Sequence, residues 1–218
     1  MISTTSSTAL ASALAADEVA FGSSDADLMT RFAAGDREAF GELVERHKDG
    51  LVCYLARLTG SRDRAEDLAQ EAFLRVFRRA PAYRERGQFT AFLYRIATNL
   101  LRDEERRARR WRLLAGALAL GGEIFARSAR PAEPAAPDRL LADEARRRLS
   151  AELAALPLEW RAPLVLAEIE GWPLAEVARA LGCREGTIKS RLFRGRRRLQ
   201  QALEPYWNSP RASNGASR

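Results

Sequence analysis

The sequence has few of the residues that build disulfide frameworks, metal centres or catalytic dyads. Its 218 residues include two cysteines, Cys53 and Cys183, which stand far apart in the chain. Such sparse cysteines exclude a disulfide framework and a zinc site, and they fit a reducing compartment. The single histidine, His47, lies in a charged helical stretch. We interpret it as a surface residue, not as a ligand or a catalytic base.

Sequence motifs for catalysis or for a bound cofactor are absent as well. There is no Ser/His/Asp set, no phosphate-binding loop, no glycine-rich dinucleotide fingerprint and no metal-ligand spacing. We therefore predict no enzyme activity, no catalytic residue, no cofactor and no metal. The apolar run Leu113–Gly122 is too short to span a bilayer, and Met1–Ala16 lacks the basic residues of a signal peptide. We expect a cytoplasmic protein without membrane insertion.

What the sequence does have is an excess of positive charge. Lysine and arginine number 36 against 29 acidic residues, which gives a net charge of +7. This balance favours an anionic partner, either nucleic acid or a membrane surface. Hydrophobic residues make up 46% of the chain, enough for the cores of one or two small domains.

The basic residues are concentrated in the stretch GCREGTIKSRLFRGRRRLQ, Gly182–Gln200. If this stretch is a helix, Ile188, Leu192 and Leu199 share one apolar stripe. The opposite face carries mostly basic and polar side chains, together with one aromatic ring: Lys189, Ser190, Phe193, Arg194 and Arg197. The apolar stripe is narrow, whereas a helix that lies on a membrane has a broad one, so nucleic acid is the favoured partner.

A short helix is predicted directly before this stretch, in GWPLAEVARALGC. Its apolar residues follow the i, i+3, i+4, i+7 pattern, and Gly182 suits the left-handed residue that ends a helix. Two short helices joined by a tight turn with glycine are typical of a helix-turn-helix, whose second helix enters the major groove of DNA. The alternative is an ordinary helical hairpin with a solvated basic face.

The rest of the chain shows helical periodicity and no clean strand alternation, so we predict an all-α fold. Two small helical domains are expected, over residues 24–110 and 139–204. Residues 111–138 include the proline-rich SARPAEPAAPDR and are predicted to be a flexible linker. The polar, small residues of 1–23 predict a disordered tail, and those of 205–218 a loose one.

Several local features inside these domains can be predicted. Asp36 is expected to cap one helix, and either Ser61 or Asp63 the next. In that next helix, Leu68, Ala72 and Val76 form an apolar stripe. Its acidic, polar face consists of Asp63, Glu66, Asp67, Gln70 and Glu71. Further along the chain, Pro163 should kink its helix or mark the real start of that helix.

In their order along the chain, these motifs resemble those of a bacterial sigma factor of the sigma-70 family, in the short extracytoplasmic-function (ECF) group. AEDLAQEAFLRVFRRA is similar to region 2.2, and GQFTAFLYRIATNLLRDEERR to regions 2.3 and 2.4. LPLEWRAPLVLAEIEGWPLAEVARALGCREGTIKSRLFRGRRRL is similar to region 4. The resemblance covers about Asp25–Arg110 and Leu140–Leu203. It implies a protein that binds core RNA polymerase and promoter DNA and directs transcription initiation, and it admits an anti-sigma factor as a further partner.

The resemblance assigns two surfaces to the first domain. In the family, region 2.2 docks on the clamp helices of the beta-prime subunit, which maps here onto Asp67, Leu68, Gln70, Glu71 and Phe73. The Pro81–Thr90 loop and the following helix would read the minus-ten element, with Tyr83, Phe89, Phe92, Arg95, Asn99 and Arg102. Asn99 matches the asparagine of the family's IATN-type motif. Phe92 stands where the family usually has tryptophan, and a place in the core is its alternative role.

In the second domain, the resemblance places the second helix of the helix-turn-helix in the major groove of the minus-thirty-five element. Base or phosphate contacts are expected from Arg184, Thr187, Lys189, Ser190, Arg191, Phe193, Arg194 and Arg197. Arg184 departs from the Ser or Pro that the family often has there, and an arginine cannot cap a helix N-terminus.

Two other functions compete with this prediction. A plain helix-turn-helix regulator would bind duplex DNA without serving a polymerase, but it leaves Ala65–Arg107 without a role. A nucleic-acid enzyme would need carboxylates that bind a metal. The candidates lie around Asp63, where the neighbouring Arg62 and Arg64 argue against a metal site.

Overall fold

The computed structural model describes residues 23–79, 88–118 and 147–207, and every regular element within them is helical. This confirms the all-α prediction. The elements in chain order are α1 Asp25–Ala33, α2 Arg37–Thr59, α3 Arg62–Arg79, α4 Phe89–Leu118, α5 at 147–155, α6 Leu158–Leu164, a π-helix Val165–Ile169, α7 Leu174–Leu181 and α8 Glu185–Trp207. We call residues 23–118 the N-terminal unit and residues 147–207 the C-terminal unit.

The helix starts of the N-terminal unit follow from capping side chains. Asp36 caps α2 as predicted, because its carboxylate accepts hydrogen bonds from the backbone N–H groups of Glu38 and Ala39 at 3.0 and 3.3 Å. Of the two candidates for α3, Ser61 is the cap, since its hydroxyl accepts from the Arg64 N–H at 3.4 Å. Each cap satisfies a backbone donor that the helix itself leaves unpaired.

The core of the N-terminal unit forms where α1, α2, α3 and α4 pack together. The apolar stripes predicted from the sequence supply it, and burying each large apolar side chain stabilises the fold by about 1.5–3 kcal/mol. Its fully buried members include Leu28, Leu43, Leu51, Leu55, Val76, Leu93 and Ala97. The Tyr54 and Thr98 hydroxyls in this core satisfy each other, because they lie 2.9 Å apart.

His47 is not the surface residue that we predicted. Its side chain is only 13% exposed, and its Nε2 lies 2.7 Å from the Asp25 Oδ2. Its ring also packs against Phe89, with centroids 5.1 Å apart. His47 therefore ties α2 to the starts of α1 and α4. Sequence periodicity misses this role because Asp25 is 22 residues away.

In the C-terminal unit, α7 and α8 pack against each other and α8 packs against α6. Gly182 has φ of 64° and ends α7, as predicted. Of the two alternatives predicted for Pro163, the structure excludes a helix start, because Pro163 lies inside α6, which begins at Leu158. A proline lacks the N–H of a helical hydrogen bond, and the backbone changes to π-helix two residues later, at Val165.

The last turns of α4 also differ from the prediction. We expected a linker from residue 111, yet α4 continues to Leu118 with Trp111 and Leu113 exposed. The arginine-rich sequence around 106–112 favours helix, and the prolines that suggested a linker begin only at Pro131. Residues 1–22, 119–146 and 208–218 lie outside the described residues, so most of the predicted linker and tails lies there too.

The two units touch each other. α4 packs against α7, and α2 packs against α6 and the π-helix. The rings of Tyr94 and Trp172 meet with centroids 4.7 Å apart. Two ion pairs cross the boundary, from Arg161 to Glu105 and from Arg57 to Glu170.

Candidate nucleic-acid interface

One face of α3 presents polar side chains to solvent. Asp67 and Gln70 are exposed, and Glu71 is partly exposed and accepts a hydrogen bond from the Arg75 Nε at 2.9 Å. Their spacing of three and four residues places them side by side on the helix. These three of the five predicted α3 residues are therefore available for contact.

The structure corrects the prediction for the other two α3 residues, because they are buried. Leu68 and Phe73 are 8% and 7% exposed and belong to the core, so their side chains are not free for a partner. Leu74 is an exposed apolar side chain on this face, at 43%, and Phe77, three residues further along the helix, is 42% exposed. Leu74 follows Gln70 by four residues and Asp67 by seven, so helical spacing alone could have identified it. We call Asp67, Gln70, Glu71 and Leu74 the α3 face.

A groove between α3 and α4 borders the α3 face. Asp67 and Glu71 line it together with Arg64 and Glu104, which form an ion pair of 2.8 Å. Its charges are mixed, which favours a polar protein surface over a nucleic acid as its neighbour.

The face of α4 carries three of the predicted DNA-binding residues on one stripe. Arg95 and Asn99 are exposed and Arg102 is half-buried, at positions i, i+4 and i+7. The Arg102 guanidinium donates to the Asn99 Oδ1 at 2.5 Å. This bond fixes the amide and leaves its NH2 group to donate elsewhere.

Phe92 is a half-buried ring at the start of this stripe. The Arg95 guanidinium lies over it, 5.7 Å from the ring centroid. The pair forms a flat, positively charged surface of the kind on which a nucleic-acid base stacks. Phe92 is thus partly core and partly surface.

Two of the predicted minus-ten residues are not among the exposed side chains that the structure describes. Phe89 is 2% exposed and packs against His47, so it is a core residue and not a base contact. Tyr83 lies outside the described residues. Phe89 was assigned from its place in the family's motif, which does not separate buried rings from exposed ones.

The α4 stripe also extends further than we predicted. Arg106 and Arg110 follow Arg102 at steps of four residues, and both are exposed. From Asn99 to Arg110 the helix rises by about 16 Å. The repeated spacing was visible in the sequence as RDEERRARR. We call Arg95, Asn99, Arg102, Arg106 and Arg110 the α4 stripe.

The basic helix α8 is built as the sequence predicts. Ile188 and Leu192 are buried and hold it against the rest of the C-terminal unit. The side chains turned to solvent are Lys189, Ser190, Phe193, Arg194 and Arg197. The ring of Phe193 is 65% exposed, which is unusual for an aromatic residue without a partner.

The remaining predicted residues of α8 occupy its first turns. Arg184 is exposed, and its carbonyl accepts the first helical hydrogen bonds, from the N–H groups of Thr187 and Ile188. Thr187 is half-buried, and its own carbonyl accepts from the Ser190 hydroxyl at 2.9 Å. Arg191 is half-buried, and its guanidinium lies 3.8 Å from the Cys183 sulfur.

Gly195 sets the distance between α8 and α6. A Cβ added there would lie 2.6 Å from the Leu164 Cδ1, closer than real Cβ atoms approach, and 3.2 Å from its Cγ. Glycine therefore permits the close packing of α8 on α6.

Other kinds of site find no support in the described part of the chain. Across residues 23–79, 88–118 and 147–207, no group of three or more His, Cys, Asp or Glu side chains could hold a metal ion. Within the same ranges, no helix is both long and apolar enough to cross a membrane.

Comparison with known proteins gives three kinds of match. Two family models fit the sequence, "Sigma-70 region 2" over residues 43–112 and "Sigma-70, region 4" over residues 146–199. The ECF RNA polymerase sigma factor SigE of Mycolicibacterium smegmatis is 40% identical over 181 residues, which are 80% of this chain and 66% of that protein. SigM of Mycobacterium tuberculosis, another ECF sigma factor, is 36% identical over 183 residues, 83% of this chain and 85% of that protein.

A solved structure shares the fold. It is the sigma factor RpoE from Bartonella quintana in complex with the anti-sigma factor NepR. The TM-score is 0.56 at 23% identity, and the match covers 76% of this chain and 96% of that chain.

Proposed function

Since the chain belongs to the sigma-70 family, in the group of ECF RNA polymerase sigma factors, we propose that it binds core RNA polymerase and directs it to promoters. The observation that carries this proposal is the pairing of two basic surfaces, the α4 stripe and α8, on two units that match regions 2 and 4. A plain helix-turn-helix regulator would need only the second of these surfaces.

In this proposal, the α3 face docks on the clamp helices of the beta-prime subunit. Leu74 is the apolar anchor, and Asp67, Gln70 and Glu71 form a polar rim that fixes register. Protein interfaces combine an apolar centre with a polar, charged surround in this way.

The α4 stripe would bind the minus-ten element. Opening a promoter takes a base out of the stack, and a flipped base is held by stacking and by hydrogen bonds to its edges. Arg95 over Phe92 offers the stacking surface, and the Asn99 NH2 group offers the donor. Arg106 and Arg110 would neutralise phosphates along the adjoining DNA.

The exposed face of α8 would enter the major groove of the minus-thirty-five element. Lys189 and Arg194 are free to bond guanine edges or phosphates, and Phe193 offers an apolar contact to a thymine methyl group. Arg184 and Arg197 flank this face and would contact phosphates.

An anti-sigma factor completes the set of proposed partners. RpoE, which shares this fold, is bound to such a factor in its solved structure. For this chain, co-purification of a bound inhibitor from its native cells, followed by its release on polymerase binding, tests the proposal.

The polymerase-binding surface is tested by two arginine substitutions with a matched control. Leu74→Arg and Glu71→Arg should each weaken binding to purified core polymerase by about tenfold or more, as hot-spot changes do. Glu45→Arg is the control, because Glu45 is an exposed acid of the same unit that pairs with nearby Lys48. Equal binding by all three variants would remove the α3 face from the interface.

A further inference from the structure

A cleft lies where α4 meets α7 and the start of α8. Its volume is about 800 Å³, which is within the size range of sites that hold small ligands. Its walls come from both units, because α7 packs on α4. At the junction, a Cβ added to Gly182 would lie 3.6 Å from the Arg95 Cδ.

Three arginines from different parts of the fold line this cleft. Arg95 belongs to α4, Arg179 to α7, and Arg184 directly precedes α8. All three side chains are exposed. Glu185 is the one acid among the lining residues, so positive charge prevails. We call the space lined by Arg95, Arg179 and Arg184 the arginine cleft.

The arginines of the cleft lack the acidic partners that usually offset such a cluster. Among residues 23–79, 88–118 and 147–207, neither Arg95 nor Arg184 forms an ion pair. Arg179 has only a long contact with Glu176, at 4.0 Å. Like charges that are brought together repel each other, and an anion held between them removes this repulsion.

Two helix starts add to the positive potential of the arginine cleft. Gln88 and Arg184 line it, and they directly precede the first residues of α4 and α8. The N-terminal end of a helix carries a partial positive charge of about half an elementary charge. The arginines and the helix ends therefore favour the same kind of ligand, a small anion with several negative charges.

The side of the cleft formed by α7 is small and apolar. Ala175 and Ala178 line it one helical turn apart, and their methyl groups leave room for a flat ring. The guanidinium of arginine also stacks on flat rings. Arg95 already does so, because its guanidinium lies 5.7 Å from the ring centroid of Phe92.

We propose that the arginine cleft binds a small polyphosphate, either free or as the phosphate chain of a nucleotide. Arginine binds phosphate oxygens through two parallel N–H bonds, and three arginines suit a chain of phosphates. The alanine side would accept the base of a nucleotide. Binding itself does not depend on the proposed function. One consequence does, because Arg95 and Arg184 are also proposed to contact promoter DNA, so the ligand would compete with DNA.

Calorimetric titration of the full chain with GTP, in the absence of magnesium, tests the site. We expect one GTP per chain. Arg95→Ala, Arg179→Ala and Arg184→Ala should each weaken binding by about tenfold or more, as the loss of a hydrogen bond to a charged group does. Arg106→Ala and Arg197→Ala are the matched controls, because each removes one exposed positive charge outside the cleft. The controls should bind GTP as the wild type does, and circular dichroism checks that every variant is folded.

A titration with inorganic tripolyphosphate identifies the source of the phosphates. This probe carries the phosphate chain of GTP without the base. Tighter binding of GTP would identify a nucleotide as the ligand, and equal binding would identify free polyphosphate; both results support the site.

General attraction to a basic protein would give a different result. It would place several ligands on each chain and weaken binding equally in the cleft variants and the controls. Either observation, or the absence of GTP and tripolyphosphate binding at millimolar concentrations, would overturn the proposal.

Competition with DNA separates this site from the proposed function. GTP should displace a promoter duplex from the free protein. Binding of GTP without displacement would support the site and count against the assignment of Arg95 and Arg184 to DNA. Failure to bind core polymerase would count against the proposed function, whereas the titrations would still decide whether the cleft binds polyphosphate.

Discussion

Replacing Gly195 by valine should destabilise the C-terminal unit by pushing α8 away from α6. The first added atom alone would lie 2.6 Å from the Leu164 Cδ1 and 3.5 Å from the Trp160 Cβ. Leu164 is 4% exposed, so a shift of its side chain would disturb the packing around it. Overpacking of this kind costs about 1–3 kcal/mol.

Gly186 provides the matched control on the same helix. A Cβ at Gly186 would meet nothing within 4 Å, so Gly186→Val adds the same atoms without a clash. Both changes gain a little helix propensity, because glycine is the poorer helix former. The difference between the two variants therefore isolates the packing at Gly195.

The assay is unfolding of the full chain by urea and by heat, followed by tryptophan fluorescence and circular dichroism. For a unit of about 60 residues, each kcal/mol lowers the midpoint by roughly 4–8 °C. Gly195→Val should unfold well below Gly186→Val and should also bind the minus-thirty-five duplex more weakly, since its α8 is displaced. Equal stability of the two variants would refute the close packing of α6 and α8.

Three further predictions concern single side chains. Asn99→Ala should impair open-complex formation more than closed-complex binding, and a normal bubble in permanganate footprinting would contradict the role of Asn99. Arg194→Ala should weaken binding that depends on the minus-thirty-five element by about 1–3 kcal/mol, measured across promoter variants. The hydrogen bond from Arg31 and the N–H of Ala39 hold the pKa of Asp36 below its usual value. The stability that Asp36 adds is therefore present above about pH 4 and is lost as the pH falls through its folded pKa, so the advantage of the wild type over Asp36→Asn in thermal unfolding should shrink on acidification.

Much of the fold could be predicted because local patterns determine it. The positions of Ile188 and Leu192 set which face of α8 is buried, and the basic face follows from geometry. Asp36 caps its helix through N–H groups only two and three residues away. Gly182 takes the left-handed conformation because the turn of the helix-turn-helix requires it.

The site residues that were misplaced came from motif matching without regard to helical phase. Leu68 shares its stripe with Ala72 and Val76, which already marked it as a core residue, whereas Leu74 is exposed on the polar face. Motif positions identify which helix makes a contact, whereas the phase of each residue identifies which side chains reach the surface.

Contacts between distant parts of the chain could not be predicted in this way. Arg161 pairs with Glu105 across 56 residues, and His47 meets Asp25 across 22. Both depend on how whole helices pack, which no local pattern records. The packing of α7 on α4 also depends on contacts between distant parts of the chain.

The most direct test of the central claim is run-off transcription with purified core RNA polymerase on genomic fragments, with and without this protein. We predict that the protein binds the core enzyme and produces transcripts from defined start sites, preceded by shared minus-ten and minus-thirty-five sequences. Tight binding to duplex DNA with neither core binding nor specific initiation would contradict the account and indicate a plain helix-turn-helix regulator.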